Sequence, residues 1–429
     1  MKKGHKILAL VSRLLLGITF VFSGFVKAVD PLGSTYKIQD YLQAFGLGFF
    51  DQYALFFSFV LFCLEFVLGM ALLLGAAQRF FAWLALVFMS LMTLFTLVIA
   101  LGNPVSDCGC FGDALQLSNW QTFGKNIFLL LLSLILISFK EPLYKVFGKK
   151  TQKWACLVCL LMVLLVAIHS LRHLPMLDFR PYKTGNSIPE LMQIPPGAPQ
   201  DSVVMEYIYE KDGVYQSFGL ENYPAGDTTW HFVDRKERIV RKGYEPPIHD
   251  FVLLHPVYGD ITEAVLSDSS YTFLWISYKL EKANRSAIQD FLQIQRYAAD
   301  RGYSFYGLTA SGQEIIDEWT YEYDIPFDFC TVDEITLKTM IRSNPGLMLI
   351  SNGQILHKWA WRDLSALTMD LDAPLEETPW SKAASNKGLV VAAQFFALVV
   401  IALCFLYLFR LASLLWEYKK KKKQIHQNK

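Results

Sequence analysis

Seven cysteines occur in the 429-residue chain, and two of them, Cys108 and Cys110, stand one residue apart in "NPVSDCGCFGD", residues 103 to 113. That spacing allows three chemistries. In an oxidising compartment a close thiol pair can cycle between dithiol and disulfide through a mixed disulfide with a partner. It can close a structural clasp, although a ring of three residues restricts the unfolded chain very little and is strained enough to be labile. It can also offer two thiolates to a metal, but the nearby "HLP", "NW" and "DAL" supply no second Cys or His pair, so a metal would need distant donors and none is assigned. Gly109 and Gly112 give the loop the backbone freedom a tight turn needs. The other cysteines read as packing residues. Cys156 and Cys159 share a face of an apolar helix in "WACLVC", Cys63 and Cys404 are solitary within apolar runs, and Cys330 stands alone in "PFDFCTVD".

The elements that must hold the pair are membrane helices. With 53% hydrophobic residues the chain is too apolar to be soluble throughout. Runs long enough to span a bilayer fall at 8–28, 53–76, 80–101, 124–139, 154–174 and 388–410. Net charge is only +1, which gives no reason to expect nucleic-acid binding. Lys and Arg alternate with the spans: Lys2, Lys3 and Lys6 precede the first, Arg79 follows the second, Lys140 to Lys153 follow the fourth, and Lys419 to Lys423 follow the last. The intervening links carry Asp30, Asp40, Asp51, Asp107 and Asp113. This bias predicts a multi-pass inner-membrane protein with both termini cytoplasmic and the long segment between the last two spans in the periplasm. A cleaved signal peptide is the competing reading of the first span, from its basic start and "VKA" at 26–28; Arg13 inside the run argues against it.

Two charged residues within spans are candidate binding residues. Glu65, in "LFCLEFVLGMALLLG", is about 18 Å deep at about 1.5 Å per residue, where a carboxylate must be protonated, paired or facing a wet cavity. It either serves a proton-linked or ligand site or makes a polar link to a neighbouring helix, with Arg13 as the expected partner. Lys27, near the end of the first span, is expected to reach the headgroups.

An Arg at the start of span one, "FSGFVKAVDP" at its end, a Glu in span two followed by a Gly, and "DCGCFGD" after span three together resemble the DoxX and MauE group of four-helix membrane proteins, over about residues 8 to 140. The resemblance implies a small bundle tied to thiol chemistry outside the cytoplasm, since MauE-type proteins are associated with disulfide formation in a periplasmic methylamine-oxidising enzyme.

Beyond the fifth span, "VVMEYIYEKDGVYQSF" reads as a hairpin turning at Lys211, Asp212 and Gly213, and "TTWHFVDRKERIVRKGY" as a second pair of strands. From 263 the pattern alternates strand and helix. "YTFLWISYKL" and "YSFYGLTA" are buried strands flanking the amphipathic "ANRSAIQDFLQIQRYAADRG", and "PGLMLISNGQILHKWAW" is a hairpin with an Asn-Gly turn. This order resembles the thioredoxin fold of membrane-tethered, TlpA-type proteins. Pro345 in "SNPGLMLISNG" matches the family's cis-proline and is a third candidate binding residue. The family's Cys-x-x-Cys is missing, its place being taken by "SYKLEKANRS", so dithiol activity is not expected of this domain.

The expected organisation is therefore a DoxX/MauE-like four-helix membrane domain (1–153), a fifth span (154–175), a β-rich extension (176–262), an extracytoplasmic α/β thioredoxin-like domain (263–372), a linker (373–387), and a final span with a basic tail (388–429). Two functions fit. In the first, Cys108 and Cys110 form a redox pair that exchanges electrons with a periplasmic partner protein and passes them to a quinone. No cofactor motif is evident, and quinone-linked disulfide enzymes use two external pairs where this chain has one. In the second, a non-catalytic scaffold grips a partner beside Pro345 while the bundle anchors it in the lipid bilayer.

Overall fold

The computed structural model describes residues 2–105, 108–141, 143–199, 202–224, 226–241, 243–368, 371, 373–383 and 387–427. Asp107 of the cysteine motif lies outside them. Among the described residues six helices are long and apolar enough to cross a membrane. Five are α1 (Lys2–Val29), α3 (Ala54–Leu74), α4 (Gln78–Gly102), α5 (Asn119–Ser138) and α6 (Lys149–Arg172). Between α1 and α3 the chain forms a further helix, α2 (Pro31–Ala44), which the apolar pattern did not mark. Its start follows from its first two residues. Asp30 accepts the Gly33 N–H at 2.9 Å as N-cap, and Pro31 occupies the first turn, where its missing N–H costs nothing.

The seam between α1 and α3 is set by two glycines. A Cβ on Gly24 would lie 2.6 Å from the Phe66 nitrogen, and one on Gly69 would lie 2.6 Å from the Val21 nitrogen. Small residues let helix backbones approach this closely in a bilayer, where packing rather than hydrophobicity drives association. At the opposite end of the bundle Arg13 donates to the Tyr144 carbonyl at 2.8 Å, far from Glu65 along α3, so the expected Arg13–Glu65 link does not form. The guanidinium instead fastens the chain between α5 and α6 to α1.

The extramembrane part follows as α7 (Ile188–Met192), β1 (Ser202–Lys211), β2 (Val214–Gly219), β3 (His231–Arg241), β4 (Leu254–His255), β5 (Gly259–Asp260), α8 (Thr262–Leu266), β6 (Thr272–Ser277), α9 (Ile288–Arg301), β7 (Ser304–Thr309), α10 (Gln313–Tyr323), β8 (Phe329–Thr331), α11 (Glu334–Met340), β9 (Gly346–Ser351), β10 (Gln354–Ala360) and α12 (Leu364–Thr368). The sixth apolar helix, α13 (Lys387–Gln427), closes the chain.

Among the described residues two sheets result, β2-β1-β3 and β10-β9-β6-β7-β8-β4-β5. In the larger one β6 runs parallel to β7 and antiparallel to β9, and β9 pairs antiparallel with β10. A βαβ unit followed by an antiparallel hairpin, with β6 beside β9, is the thioredoxin-like arrangement. The peptide bond from Asn344 to Pro345, which leads into β9, is cis. All six residues of β6 are buried, as a central strand covered on both faces requires. Trp275 packs with Phe291 and Trp319 on one face, and Leu274 and Ile276 pack with Met348 and Ile350 on the other.

Two readings of the β-rich stretch need correction. "TTWHFVDRKERIVRKGY" supplies the single strand β3, which pairs along β1 through Phe232 and Arg241 with two register shifts, and not a second hairpin. Residues 176–262 do not act as one extension either. Only the three-stranded sheet stands apart, whereas Tyr182, Ile188, Ile248, Phe251 and Leu253 are built into the α/β core and β4 and β5 widen its sheet.

Candidate functional site

The cysteine loop leaves α4 at Asn103, whose φ of 44° reverses the chain. Asn119, the first residue of α5, pins the loop by donating from Nδ2 to Asn103 Oδ1 and to the Val105 carbonyl, each at 2.8 Å. Gly109 has φ of 59°, and Lys37 of α2 lies across it so closely that a Cβ there would meet Lys37 Cγ at 2.8 Å. Tyr41, also on α2, donates its hydroxyl to the Cys108 carbonyl. Phe111 is buried against Phe22, with the Lys125 ammonium 4.2 Å above its ring centroid. So wedged, the loop brings Cys108 Sγ to 3.0 Å from Cys110 Sγ. Cys108 is buried and Cys110 half-buried.

Beneath the loop lies a buried ion pair. Lys27 Nζ is 2.7 Å from Glu65 Oε2 and donates at the same distance to the Cys110 carbonyl and to Ser23 Oγ. The Ser23 hydroxyl, with one proton to give, lies 3.0 Å from Glu65 Oε2 and 2.8 Å from the Cys110 carbonyl. A lone carboxylate at this depth would be prohibitive, and pairing with a hydrogen-bonded ammonium is what makes it tolerable. Lys27 therefore turns inward to Glu65, where the sequence suggested that it reached out to the headgroups.

The two thiols are not equivalent. The contact with the Cys108 sulfur holds Cys110 below the ordinary thiol range against the effect of burial, and the charges of Lys125 and Lys27 act in the same sense. Cys108 is pushed well up by the same contact and by burial. A lowered Cys110 beside a raised Cys108 favours thiolate on Cys110, which is the form required of a nucleophile or of a leaving group in disulfide exchange.

Pro345 is not part of this site. It is buried, and Asn344 beside it accepts from the Ser277 hydroxyl at 2.7 Å and donates to the Lys279 carbonyl at 2.9 Å, which ties the hairpin to the end of β6. The third candidate thus organises the domain's own fold. The face around it is turned to the bundle. Arg342 donates from Nε to both oxygens of Asp30, at 3.0 and 2.9 Å, and its Nη2 lies 3.3 Å from Asp113 Oδ2. Tyr278, at the place of the missing cysteines, meets Tyr36 of α2 edge to face at 6.4 Å. Nearby, Lys358 and Arg180 hold the Asp178 carboxyl well below the usual range although burial opposes them. Cys330 is fully buried in β8, Cys159 is buried in α6, and among the described residues no group of His, Cys, Asp and Glu could hold a metal.

Sequence reading did not bring Ser23, Tyr41, Lys125 or Arg342 to the site, and it sent Lys27 to the headgroups. A helical signal existed for two of them: Ser23 and Lys27 are four apart and share a face of α1 with Gly24. Nothing local marks Arg342, which meets its partners more than 200 residues away.

Fold and site define an integral membrane helix bundle that carries a thiol pair at one mouth and a thioredoxin-like α/β domain docked over that mouth. Residues 5–139, which run from α1 through α5 and include the cysteine loop, match the family described as "Methylamine utilisation protein MauE". Residues 203–242, essentially β1 to β3, match a domain of unknown function (DUF8463). No curated protein matches the chain. Two solution structures are similar at 12% identity and 30% coverage of this chain. One is of a protein described as a disulfide isomerase from Bacteroides thetaiotaomicron (87% of that chain covered, TM-score 0.24), and one of a protein described as a thioredoxin from Neisseria meningitidis (95% covered, TM-score 0.23).

Proposed function

We propose that this protein is a thiol-disulfide redox component of the inner membrane, with Cys108 and Cys110 as its exchanging pair and an extracytoplasmic protein thiol as its partner. The observation that carries the reading is the contact of the two sulfurs at the mouth of the bundle, 3.0 Å apart. In the reaction a partner thiolate attacks the Cys110 sulfur of the disulfide form, the bond to Cys108 breaks, and Cys108 takes up a proton. A second partner thiolate then attacks the partner's own sulfur in the mixed disulfide, and Cys110 leaves as the thiolate that its surroundings favour. The partner ends oxidised by two electrons and the loop pair reduced.

The bias of Lys and Arg supports an extracytoplasmic site. Arg13 and Arg410, each donating to the chain between α5 and α6, sit at the end of the bundle away from the α/β domain, whereas Asp30 and Asp113 lie at the domain's end. The scaffold reading is weaker in its original form, because the surface beside Pro345 is held against the chain's own bundle by Arg342 and is not open to a partner.

The test is a trap. In a Cys108→Ser variant the Cys110 thiolate can still attack the disulfide of an oxidised partner, displacing one partner thiolate, but Cys108 is no longer there to release the partner from the mixed disulfide, so acid-quenched membranes run without reductant should show a covalent adduct that dithiothreitol removes. If neither single serine variant gives an adduct and both wild-type thiols stay free under oxidising conditions, the redox reading falls.

A further inference from the structure

We propose that the cavity between α2, α3, α4 and the cysteine loop takes a membrane-soluble quinone, which restores the Cys108–Cys110 disulfide; this rests on the redox reading above and supplies its oxidant. The cavity has a volume of about 300 Å³ and two unlike ends. Leu42, Leu61, Met92 and Phe95 form its walls, with Tyr41 and Phe45 set against the Phe95 ring at 5.2 and 5.9 Å between centroids. Such a slot fits a flat conjugated ring. At its other end are Lys27, Glu65, Cys108 and Cys110.

Depth decides what can enter. Counted from the nearer helix ends at about 1.5 Å per residue, Leu61 and Met92 lie about 10 and 15 Å below the domain-side ends of α3 and α4, inside one leaflet of a hydrocarbon core about 30 Å thick. Phe45 and Leu47 at the rim are each 41% exposed. The space is thus apolar, at leaflet depth and rimmed by exposed apolar side chains, which selects a lipid-soluble oxidant over a water-soluble one.

The opposite side of the loop differs. A second cavity of about 200 Å³ lies between bundle and α/β domain, lined with charge from Asp30, Asp178, Arg180 and Arg342. Gly109 and Lys37 line both cavities, so the cysteine turn is the wall between an apolar space and a polar one. A carrier that takes electrons from a protein and delivers them into the bilayer needs that separation.

The balance is complete. The Cys110 S–H ionises first and the Cys108 S–H breaks as the S–S bond forms, and the electron pair and these two protons convert the quinone to hydroquinone. Lys27, whose three N–H groups are engaged by Glu65, Ser23 and the Cys110 carbonyl, lines the cavity as a fixed positive charge that favours electron arrival on the quinone, and the Cys108 proton and the Lys27–Glu65 pair stand beside the reacting sulfur.

The experiment uses the full chain in lipid nanodiscs, reduced, freed of reductant and mixed without oxygen with decylubiquinone. Hydroquinone should form in equal amount to the chain, with both loop thiols lost to alkylation. Leu61→Trp, which fills the cavity without touching a cysteine, should slow this about tenfold or more, as loss of reactant positioning does. Because a tryptophan can also disturb folding, a photoreactive azidoquinone is used on the wild-type chain and should label α2 or the middle of α4. Labelling elsewhere, or hydroquinone formation no faster than in the Cys108→Ser, Cys110→Ser double variant, overturns the proposal. An intact Cys108→Ser trap with no quinone reduction removes the quinone and leaves the thiol reading standing. Quinone reduction without any trapped adduct does the reverse.

Discussion

The α/β domain and the bundle loop are the two places in this chain where a disulfide chemistry would be sought, and they have opposite contents. The domain keeps the strand order and the cis Asn344–Pro345 bond but has Tyr278 and Leu280 after β6, and turns that edge onto α2. The loop belongs to a plain helical bundle, yet it holds two sulfurs in contact, a thiolate-favouring set of cations, and a buried acid-base pair beneath. Chemistry follows the side chains at a site and not the fold that surrounds them. A thioredoxin-like scaffold can lose its cysteines and still serve as a shaped, rigid surface.

The sharpest way to break this contrast is to remove the sulfurs from each region in turn. Cys110→Ala should abolish partner exchange to background, whereas Cys330→Ala should leave it within about twofold, since a buried core thiol contributes packing alone. Mass-resolved alkylation of membranes under oxidising and reducing conditions reads both. Exchange that survives the first change and is lost with the second would transfer the function to the domain.

Next in size is the ion pair under the loop. Lys27→Met leaves Glu65 buried without its cation and should cost about 3 to 5 kcal/mol, while the double change with Glu65→Leu should recover most of that. Denaturation of the detergent-solubilised chain, followed by circular dichroism, measures the cycle. Additive losses would mean that the two side chains act independently.

The third test loosens the contact between the regions. Arg342→Ala should reduce disulfide cross-linking between cysteines introduced at Tyr36 and Tyr278 by about threefold or more, and Arg342→Lys should fall between, because an ammonium cannot reproduce the forked contact with Asp30. Cross-linking that is unchanged in both variants would show that the domain docks without this residue.

The smallest expected effect is a titration. Thiolate is the reactive form, and Cys110 is held below its ordinary range, so its alkylation should reach half its maximal rate at a pH below the usual thiol value of about 8.5. Lys125→Gln removes one of the charges that favour the thiolate and should move that midpoint upward by about half a unit to one unit. A midpoint at the ordinary value in the wild type would remove the asymmetry between the two thiols.

Legibility in the sequence followed the range of the interactions. Apolar run length gave all six long helices, and a turn at Asp212 and Gly213, both at positive φ, gave the first hairpin. The thioredoxin-like order was readable because buried strands and amphipathic helices differ in period. The loop was readable as a cysteine pair, but not its surroundings. Lys27 near a span's end looks the same whether it reaches a headgroup or a carboxylate 38 residues on, and the choice was made by the close α1–α3 seam. α2 escaped notice because it is short and only Pro31 and Thr35 are buried along it. β3 is one strand where a pair was expected, because its continuity comes from pairing along β1, which no local pattern shows.

Asp30 has a further consequence. One carboxylate both starts α2 and receives Arg342, and α2 is the roof over the apolar cavity beside the thiols. The helix cap is thereby a rivet shared by the bundle and the α/β domain. Removing this carboxylate would uncap the roof and loosen the clamp on the domain in one step, so the wall of the apolar cavity and the seating of the domain share an anchor.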